Sequence, residues 1–390
     1  MSTAKPKILF ITRNFPPLTG GMERLAWESF QQIEHHFDCT VIGPRGCGQF
    51  LSKRAQFHEC PMSLPLFLIS ATLYAILESV KQRFSLRIGG SGLVAPVIYL
   101  ANIIKRSPTL TYVHGLDLII DNLFYQTIFL PFIRNSTHVI ANSKNTRKLA
   151  IGKGIKPENI TVINPGVDTS QANLDIDANQ LEQHFQLHNR LVLLSVGRLV
   201  KRKGLAEFIE YSLPIITARH PQTTLLIVGS EANEALKKEQ PILEKIKYSI
   251  AQAKCENNVI IAGRLSDNEL AAAYNTATVH VFPVLDLPGD VEGFGMVALE
   301  AAAHGVTTVA FDSGGVADAV KAGVTGQLVA ASDYLAMAQE IICLLDQPST
   351  ASHRQQCLDH AAKFSWPIYG EKLNALCIEL IEKADKLSPH

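Results

Sequence analysis

Short runs of valine, isoleucine and leucine, four to seven residues each, alternate along this chain with amphipathic segments of helical length. In the first half the runs are Lys7–Thr12, Cys39–Gly43, Leu86–Gly90, Leu110–His114, His138–Ser143 and Asn159–Asn164. In the second they are Leu191–Gly197, Thr224–Gly229, Val259–Gly263, Val279–Pro283, Thr307–Phe311 and Gly326–Val329. A strand that is apolar along its whole length is buried on both faces, as happens in parallel sheets covered by crossover helices. The pattern stops near Asn164 and resumes at Leu191. The polar segment between them, opening Asn164-Pro165-Gly166-Val167-Asp168, reads as a connector. The predicted fold is α/β, with two doubly wound domains facing across a cleft. A length of 390 residues suits two such domains. Ligands of open parallel sheets bind beyond the C-terminal strand ends, so the site is expected in that cleft.

The formal net charge is zero, yet residues 1–170 carry 18 Lys and Arg against 10 Asp and Glu, and the remainder 18 against 26. A basic first half calls for an anionic partner. Its basic residues are dispersed, without aromatic interleaving, which argues against nucleic acid. Seven cysteines occur without a CxxC pair or zinc spacing, and are expected to be reduced, mostly buried thiols of a cytoplasmic protein. The start, Met1-Ser2-Thr3-Ala4-Lys5-Pro6, has no signal-peptide core.

The longest uncharged stretch, Cys60–Leu77, is interrupted by Pro61 and Pro65. That leaves about 15 residues of helix where a membrane span needs about 20, so no transmembrane segment is predicted. Lys81, Arg83 and Arg87 follow this stretch, and a second apolar segment, Leu118–Ile133, carries Phe124, Tyr125, Phe129 and Phe132. An apolar helix edged by basic residues can lie in the headgroup layer. One reading is therefore peripheral docking on an anionic membrane surface, at the inner face of the cytoplasmic membrane. The other is that both segments are ordinary core helices.

Four motifs carry chemistry. The strongest is Asp290-Val291-Glu292-Gly293-Phe294-Gly295-Met296, leading to Glu300: a loop opening into a helix, with glycines that let backbone approach a ligand and helix N–H groups that bind an anion. Glu292 at the mouth, and Glu300 about two turns on, suit sugar or ribose hydroxyls rather than phosphate. The second is Gly197-Arg198-Leu199-Val200-Lys201-Arg202-Lys203-Gly204, after a strand. There Arg198 can fork onto phosphate oxygens and Lys203 can add a point charge, whereas Lys201 and Arg202 read as a solvated basic turn. The third is Thr19-Gly20-Gly21-Met22, a turn into a helix. It lacks the three-glycine dinucleotide fingerprint, and no phosphate loop occurs, which disfavours a nicotinamide dehydrogenase or P-loop enzyme. The fourth is His114, at a strand end and followed by Gly115.

Together these motifs resemble glycosyltransferase family 4, retaining enzymes built of two Rossmann-like domains. The resemblance covers essentially the whole chain, through Phe364-Ser365-Trp366 and the helix beyond. Gly197-Arg198-Leu199-Val200, Gly263-Arg264-Leu265, Asp290-Val291-Glu292-Gly293 and Ser313-Gly314-Gly315 look like bacterial phosphatidylinositol mannoside mannosyltransferases. The resemblance implies a GT-B fold: an acceptor-side domain over 1–168, a donor domain over 169–365 and a helix over 366–390 returning to the first domain. It implies that Arg198 and Lys203 hold the donor diphosphate. Glu292, with backbone near Gly293, Phe294, Gly295 and Met296, would hold the sugar, and Glu300 the ribose. Arg264 and Leu265 would flank the base, Gly20 and Gly21 would face diphosphate and sugar, and His114 would lie beside the transferred sugar. His114, Arg198, Lys203 and Glu292 are the candidate catalytic residues.

One departure is Gly89-Gly90-Ser91-Gly92, in place of a histidine-containing turn on the acceptor side. Phe294 does not select between UDP and GDP donors. Two cations and a helix N-terminus at the leaving diphosphate predict metal-independent transfer, with no cofactor. The partners implied are a GDP- or UDP-linked sugar and a lipid-linked or glycan acceptor, with GDP-mannose the favoured donor. A nucleotide-sugar 2-epimerase and a non-catalytic nucleotide-sugar binding protein are the alternatives on the same architecture.

Overall fold

The computed structural model describes residues 5–170, 178–231, 241–347 and 349–387. The chain divides into two compact units: residues 1–166 with 366–390, and residues 167–365. Part of the polar connector, residues 171–177, lies outside the described residues.

In the first unit the strands are β1 (Lys7–Ile11), β2 (Asp38–Pro44), β3 (Gln56–Cys60), β4 (Leu86–Gly89), β5 (Thr109–Val113), β6 (His138–Ala141) and β7 (Ile160–Val162). Among the described residues they form one parallel sheet ordered β3-β2-β1-β4-β5-β6-β7. The β3 segment is not among the apolar runs. It is a mostly exposed edge strand, Gln-Phe-His-Glu-Cys, whose side chains need not be apolar.

The order fixes where the helices lie. From β1 the chain steps leftward to β2 and β3, and from β3 it jumps across to β4 and continues rightward. Parallel crossovers are right-handed, so the helices of the rightward steps share one sheet face. These are Leu64–Lys81, Ala95–Ile104, Leu123–Arg134 and Lys144–Gly152. Gly21–Ile33 covers the other face, joined there by the C-terminal helix Trp366–Leu387. The core lies between sheet and helices, with Leu9, Ile42, Phe67 and Phe84 in one cluster and Val113, Ile133 and Val139 in another.

The helix Leu64–Lys81 has 18 residues and begins one residue before Pro65, so it is longer than the proline predicted. Proline is tolerated in the first turn because its missing N–H has no intrahelical partner there. Among the described residues this is the one helix long and apolar enough to cross a membrane by length and composition. Its buried face, with Phe67, Ala71 and Ala75, is part of the sheet core. The segment Leu118–Ile133 is two helices, Leu116–Ile119 and Leu123–Arg134, rather than one. Arg87 is fully buried on β4, donating to Asn102, Ser107 and Ser79, and so is not a surface cation as its position in the sequence suggested.

In the second unit the strands are β8 (Leu191–Val196), β9 (Thr223–Val228), β10 (Val259–Gly263), β11 (Val279–Phe282), β12 (Thr308–Phe311) and β13 (Gly326–Val329). Among the described residues they form a parallel sheet ordered β10-β9-β8-β11-β12-β13. Each sheet therefore reverses its winding once, between β1 and β4 and between β8 and β11. Those are the points where loops diverge and leave room for a ligand.

Candidate functional site

The loops leaving β8 and β11 carry the two strongest motifs of the sequence. After β8 the chain passes Gly197, whose φ is +144°, then a short turn Lys201–Lys203, and enters the helix Leu205–Tyr211 through Gly204. Gly204 has φ +65°, and a Cβ there would stand 2.0 Å from the Pro283 carbonyl oxygen at the end of β11. A close backbone approach thus locks the two loops together. After β11 the loop runs through Asp290 and Glu292 to Gly295, φ +95°, which opens the helix Met296–Ala303.

Within this frame Lys203 and Glu292 meet. Lys203 Nζ donates to Glu292 Oε2 at 2.8 Å and lies 4.5 Å from the Phe282 ring centroid. Arg202 donates from Nε to Asp290 Oδ1 at 3.1 Å and from Nη1 to the same Glu292 oxygen that Lys203 uses. Burial would raise the Glu292 carboxyl, but Lys203 and Arg202 outweigh it and hold it at about 2. Burial also opposes the charge of Arg202, and Glu292 with Asp290 overcomes it, raising the guanidinium above its ordinary value. For Lys203 burial prevails and the ammonium is lowered. Arg202 is therefore a buried member of the cluster and not part of a solvated turn. Its partners lie nearly ninety residues on, and no local pattern in the Lys-Arg-Lys run points to them.

The other expected donor residues occupy distinct places around this loop pair. Arg198 is exposed one residue beyond Gly197. Gly293 and Met296 are half-buried. Phe294 is buried in a cluster with Phe282, Val284 and Leu299, so its ring supports the loop. Glu300 is the fifth residue of its helix, a little over one turn inside, and accepts from Tyr274 Oη at 3.1 Å. Tyr274 is buried and stacked on His304, with centroids 5.1 Å apart, so the position of Glu300 is set by the core. Sequence reading missed Tyr274 as it missed Arg202. Arg264 is exposed just after β10, and Leu265 joins a core cluster with Leu194 and Tyr274. The loops of β8, β10 and β11 thus bring two exposed cations, a buried ion cluster and a helix N-terminus to one sheet edge.

The sequence contains an Asp-x-Asp triplet, Asp175-Ile176-Asp177, so the expectation of metal-independent transfer rests on the two cations and the helix N-terminus alone. The triplet falls in the connector, with Asp175 and Ile176 outside the described residues together with Asp177.

In the first unit, Gly20 and Gly21 follow β1 at the start of the helix Gly21–Ile33. The turn also carries Glu23, which accepts from Asn14 Nδ2 at 2.7 Å. Gly90 follows β4, and a Cβ there would stand 2.5 Å from Thr12 Oγ1. His114 is buried at the end of β5 with Nε2 2.9 Å from the Gly90 carbonyl. A carbonyl only accepts, so Nε2 carries a proton and donates it to Gly90. Asp117 fixes the loop by accepting from the backbone N–H of His114 at 2.8 Å and of Gly92 at 3.1 Å.

Comparison with known proteins places these motifs in context. The family model described as Glycosyltransferase Family 4 matches residues 19–171, and that described as Glycosyl transferases group 1 matches residues 177–364. The chain is 28% identical over 373 residues to the GDP-mannose-dependent alpha-(1-6)-phosphatidylinositol monomannoside mannosyltransferase of Mycolicibacterium smegmatis, covering 92% of this chain and 94% of that one. It is 30% identical over 259 residues to the capsular polysaccharide biosynthesis glycosyltransferase CapM of Staphylococcus aureus, covering 64% and 63%. Among solved structures, Anabaena Alr3699/HepE in complex with UDP and glucose aligns with a TM-score of 0.78 at 20% identity, over 96% of this chain and 100% of that one. The sucrose-phosphate synthase of Thermosynechococcus elongatus aligns with a TM-score of 0.79 at 19% identity, over 97% and 100%. At such identity these structures share the fold.

Proposed function

The chain belongs to glycosyltransferase family 4 and is a glycosyltransferase of GT-B fold, and from this premise we propose that it moves mannose from GDP-mannose, with retention and without a metal, to a lipid-linked or glycan acceptor. The observation that carries the reading is the Lys203–Glu292–Arg202 cluster beside the N-terminus of Met296–Ala303. It supplies a cation for a departing diphosphate and an ionised carboxylate for sugar hydroxyls from two loops that the sheet holds together.

The chemistry runs as follows. The acceptor hydroxyl oxygen bonds to the anomeric carbon while the bond from that carbon to the diphosphate oxygen breaks. The electron pair leaves with the diphosphate, which also takes the acceptor's proton on the same face of the sugar. Positive charge develops on the sugar and negative charge on the leaving group. Arg198, Lys203 and the helix N–H groups stabilise the latter. Glu292 holds sugar hydroxyls, Glu300 ribose hydroxyls, and Arg264 with Leu265 flanks the base. In the first unit Gly20, Gly21 and His114 serve the diphosphate and the transferred sugar. The choice of GDP-mannose and of a lipid-linked acceptor in cell-envelope glycolipid or polysaccharide synthesis rests on the sequence relatives.

The test is a screen of GDP-mannose, UDP-glucose, UDP-GlcNAc and UDP-galactose, measuring nucleotide release with membrane lipid extract in excess EDTA, followed by NMR of the product's anomeric centre. We expect release from GDP-mannose, insensitivity to EDTA and a retained anomer. A UDP-sugar preference overturns the donor, and an inverted anomer or loss of activity on chelation overturns the mechanism.

A further inference from the structure

We infer that the outer face of one helix layer in the first unit is a docking surface for an anionic lipid bilayer; this deepens, and rests on, the reading of a lipid-linked acceptor. Leu64–Lys81, Ala95–Ile104 and Leu123–Arg134 lie on the same face of the sheet by the handedness of their crossovers. Ala95–Ile104 packs between the other two, with Tyr99 against Phe132 at 5.0 Å. Their inward sides fill the core. Their outward sides are apolar as well, which a solvated helix avoids.

The clearest case is a stripe at helical spacing, Leu66, Ile69, Leu73, Leu77 and Val80, with every member between 52% and 58% exposed. Ile103 on the middle helix, at 62%, and Phe124 on the third, at 65%, continue the surface. The core-helix alternative thus accounts for only half of each helix.

Charge identifies the occupant. The three helices run in the same direction, so their C-terminal ends share one sheet edge. Exposed Lys81 and Arg83 stand at the first end, Lys105 and exposed Arg106 at the second, and exposed Arg134 at the third. Lys105 Nζ ties two of these ends by donating to the Val80 carbonyl at 2.8 Å. Within the stripe helix the one acidic residue, Glu78, is buried and paired with Lys81 and His58. An apolar face with a basic rim matches acyl chains bordered by anionic headgroups. Although its length and composition would suit a span, its inner side, with Phe67, Ala71 and Ala75, is committed to the protein core. The helix therefore lies on the surface.

Co-sedimentation of the full chain with phosphatidylcholine vesicles, with and without phosphatidylglycerol, tests this. Binding is expected to require phosphatidylglycerol and to weaken with salt. Arg83→Glu with Arg106→Glu should lower the partition coefficient at least about tenfold, since each basic residue near an anionic surface contributes about 1 kcal/mol. Ile69→Ser with Leu73→Ser and Ile103→Ser should do likewise. If a serine variant fails to fold, hydrogen exchange on the wild-type chain replaces it, and vesicles must then protect residues 64–81 and 95–104. Absence of binding to anionic vesicles at low salt, or binding indifferent to both sets of substitutions, overturns the proposal. So does a dimer in light scattering that the serine substitutions abolish, because a second copy would then cover the face. Donor hydrolysis without vesicles is measured alongside, so a failed docking result is separable from a failed glycosyltransferase reading.

Discussion

At position 202 a guanidinium is buried between two carboxylates, and one of them, Glu292, is shared with Lys203. In this arrangement Lys203 is satisfied by Glu292, the group that stands where a donor's charge would otherwise be met. If Lys203 turns to a donor diphosphate, as proposed, Arg202 is left to compensate the Glu292 carboxylate in its buried position. Arg202→Gln should therefore lower kcat/KM at least about tenfold, with Arg202→Lys recovering part of the loss because it keeps the charge but not the fork. Unchanged kinetics in the glutamine variant would remove this role. Lys203→Ala and Arg198→Ala should each cost about 2–4 kcal/mol of transition-state stabilisation with unchanged circular dichroism. Retention of more than about a third of wild-type kcat/KM would show that neither holds the diphosphate. Lys203 and Glu292, which the structure brings together, stood out in the sequence because each lies beside glycines at a strand-to-helix turn. Arg202 and Tyr274 did not, since their importance lies in partners that only the fold brings near.

At the scale of elements, every apolar run of the sequence corresponds to a strand, because a strand buried on both faces cannot disguise its composition. The edge strand Gln56–Cys60 and the helix begun before Pro65 escaped for the converse reason: an edge tolerates polar side chains, and a first turn tolerates proline. Glycines divide by the same logic. Gly204→Ala puts a Cβ against the Pro283 carbonyl at positive φ and should destabilise the second unit by about 1–3 kcal/mol, read from thermal melting. Gly152→Ala, at a helix end where a Cβ would meet nothing within 4 Å, should be neutral or slightly stabilising. Equal melting of the two variants would contradict this.

Strand β11 also carries a pH dependence. His280 is buried, 3.1 Å from Thr308 Oγ1, and burial followed by the charge of Lys203 lowers its pKa from 6.5 to about 3. The folded state thus resists a proton that the unfolded chain accepts. The contribution of His280 is complete above about pH 6.5 and is lost as pH falls toward 3. Glu292, held at about 2 against an ordinary 4.5, extends the loss below pH 4.5. The melting temperature should fall steadily on acidification from pH 6.5, and His280→Asn should flatten that slope. An identical slope in the variant would exclude His280 as a source.

On the scale of the whole molecule, the chain contributes to the first unit twice, through residues 1–166 and through 366–390, but the second unit is one continuous stretch, 167–365. The second unit has three apolar clusters wholly its own. The first unit depends on the returning helix Trp366–Leu387, where Tyr369 bonds through its hydroxyl to Ser29 at 2.6 Å and to Tyr112 at 2.8 Å, and where Leu373 and Cys377 are fully buried. Asn374 adds a bond to the Gln32 carbonyl, and the Trp366 ring lies where a Cβ on Gly166 would stand, 2.5 Å from it. Removing this helix strips cover from Gly21–Ile33 and takes from Ser29 and Tyr112 the buried hydroxyl that both of them bond. We therefore expect the fragment 167–365 to melt in a single cooperative transition and to keep nucleotide binding. The fragment 1–166 should be aggregated or molten until a peptide of residues 366–390 is supplied, which should restore a cooperative melt. If 1–166 alone melts cooperatively at a temperature that the peptide does not raise, the helix is an accessory to the first unit rather than part of it.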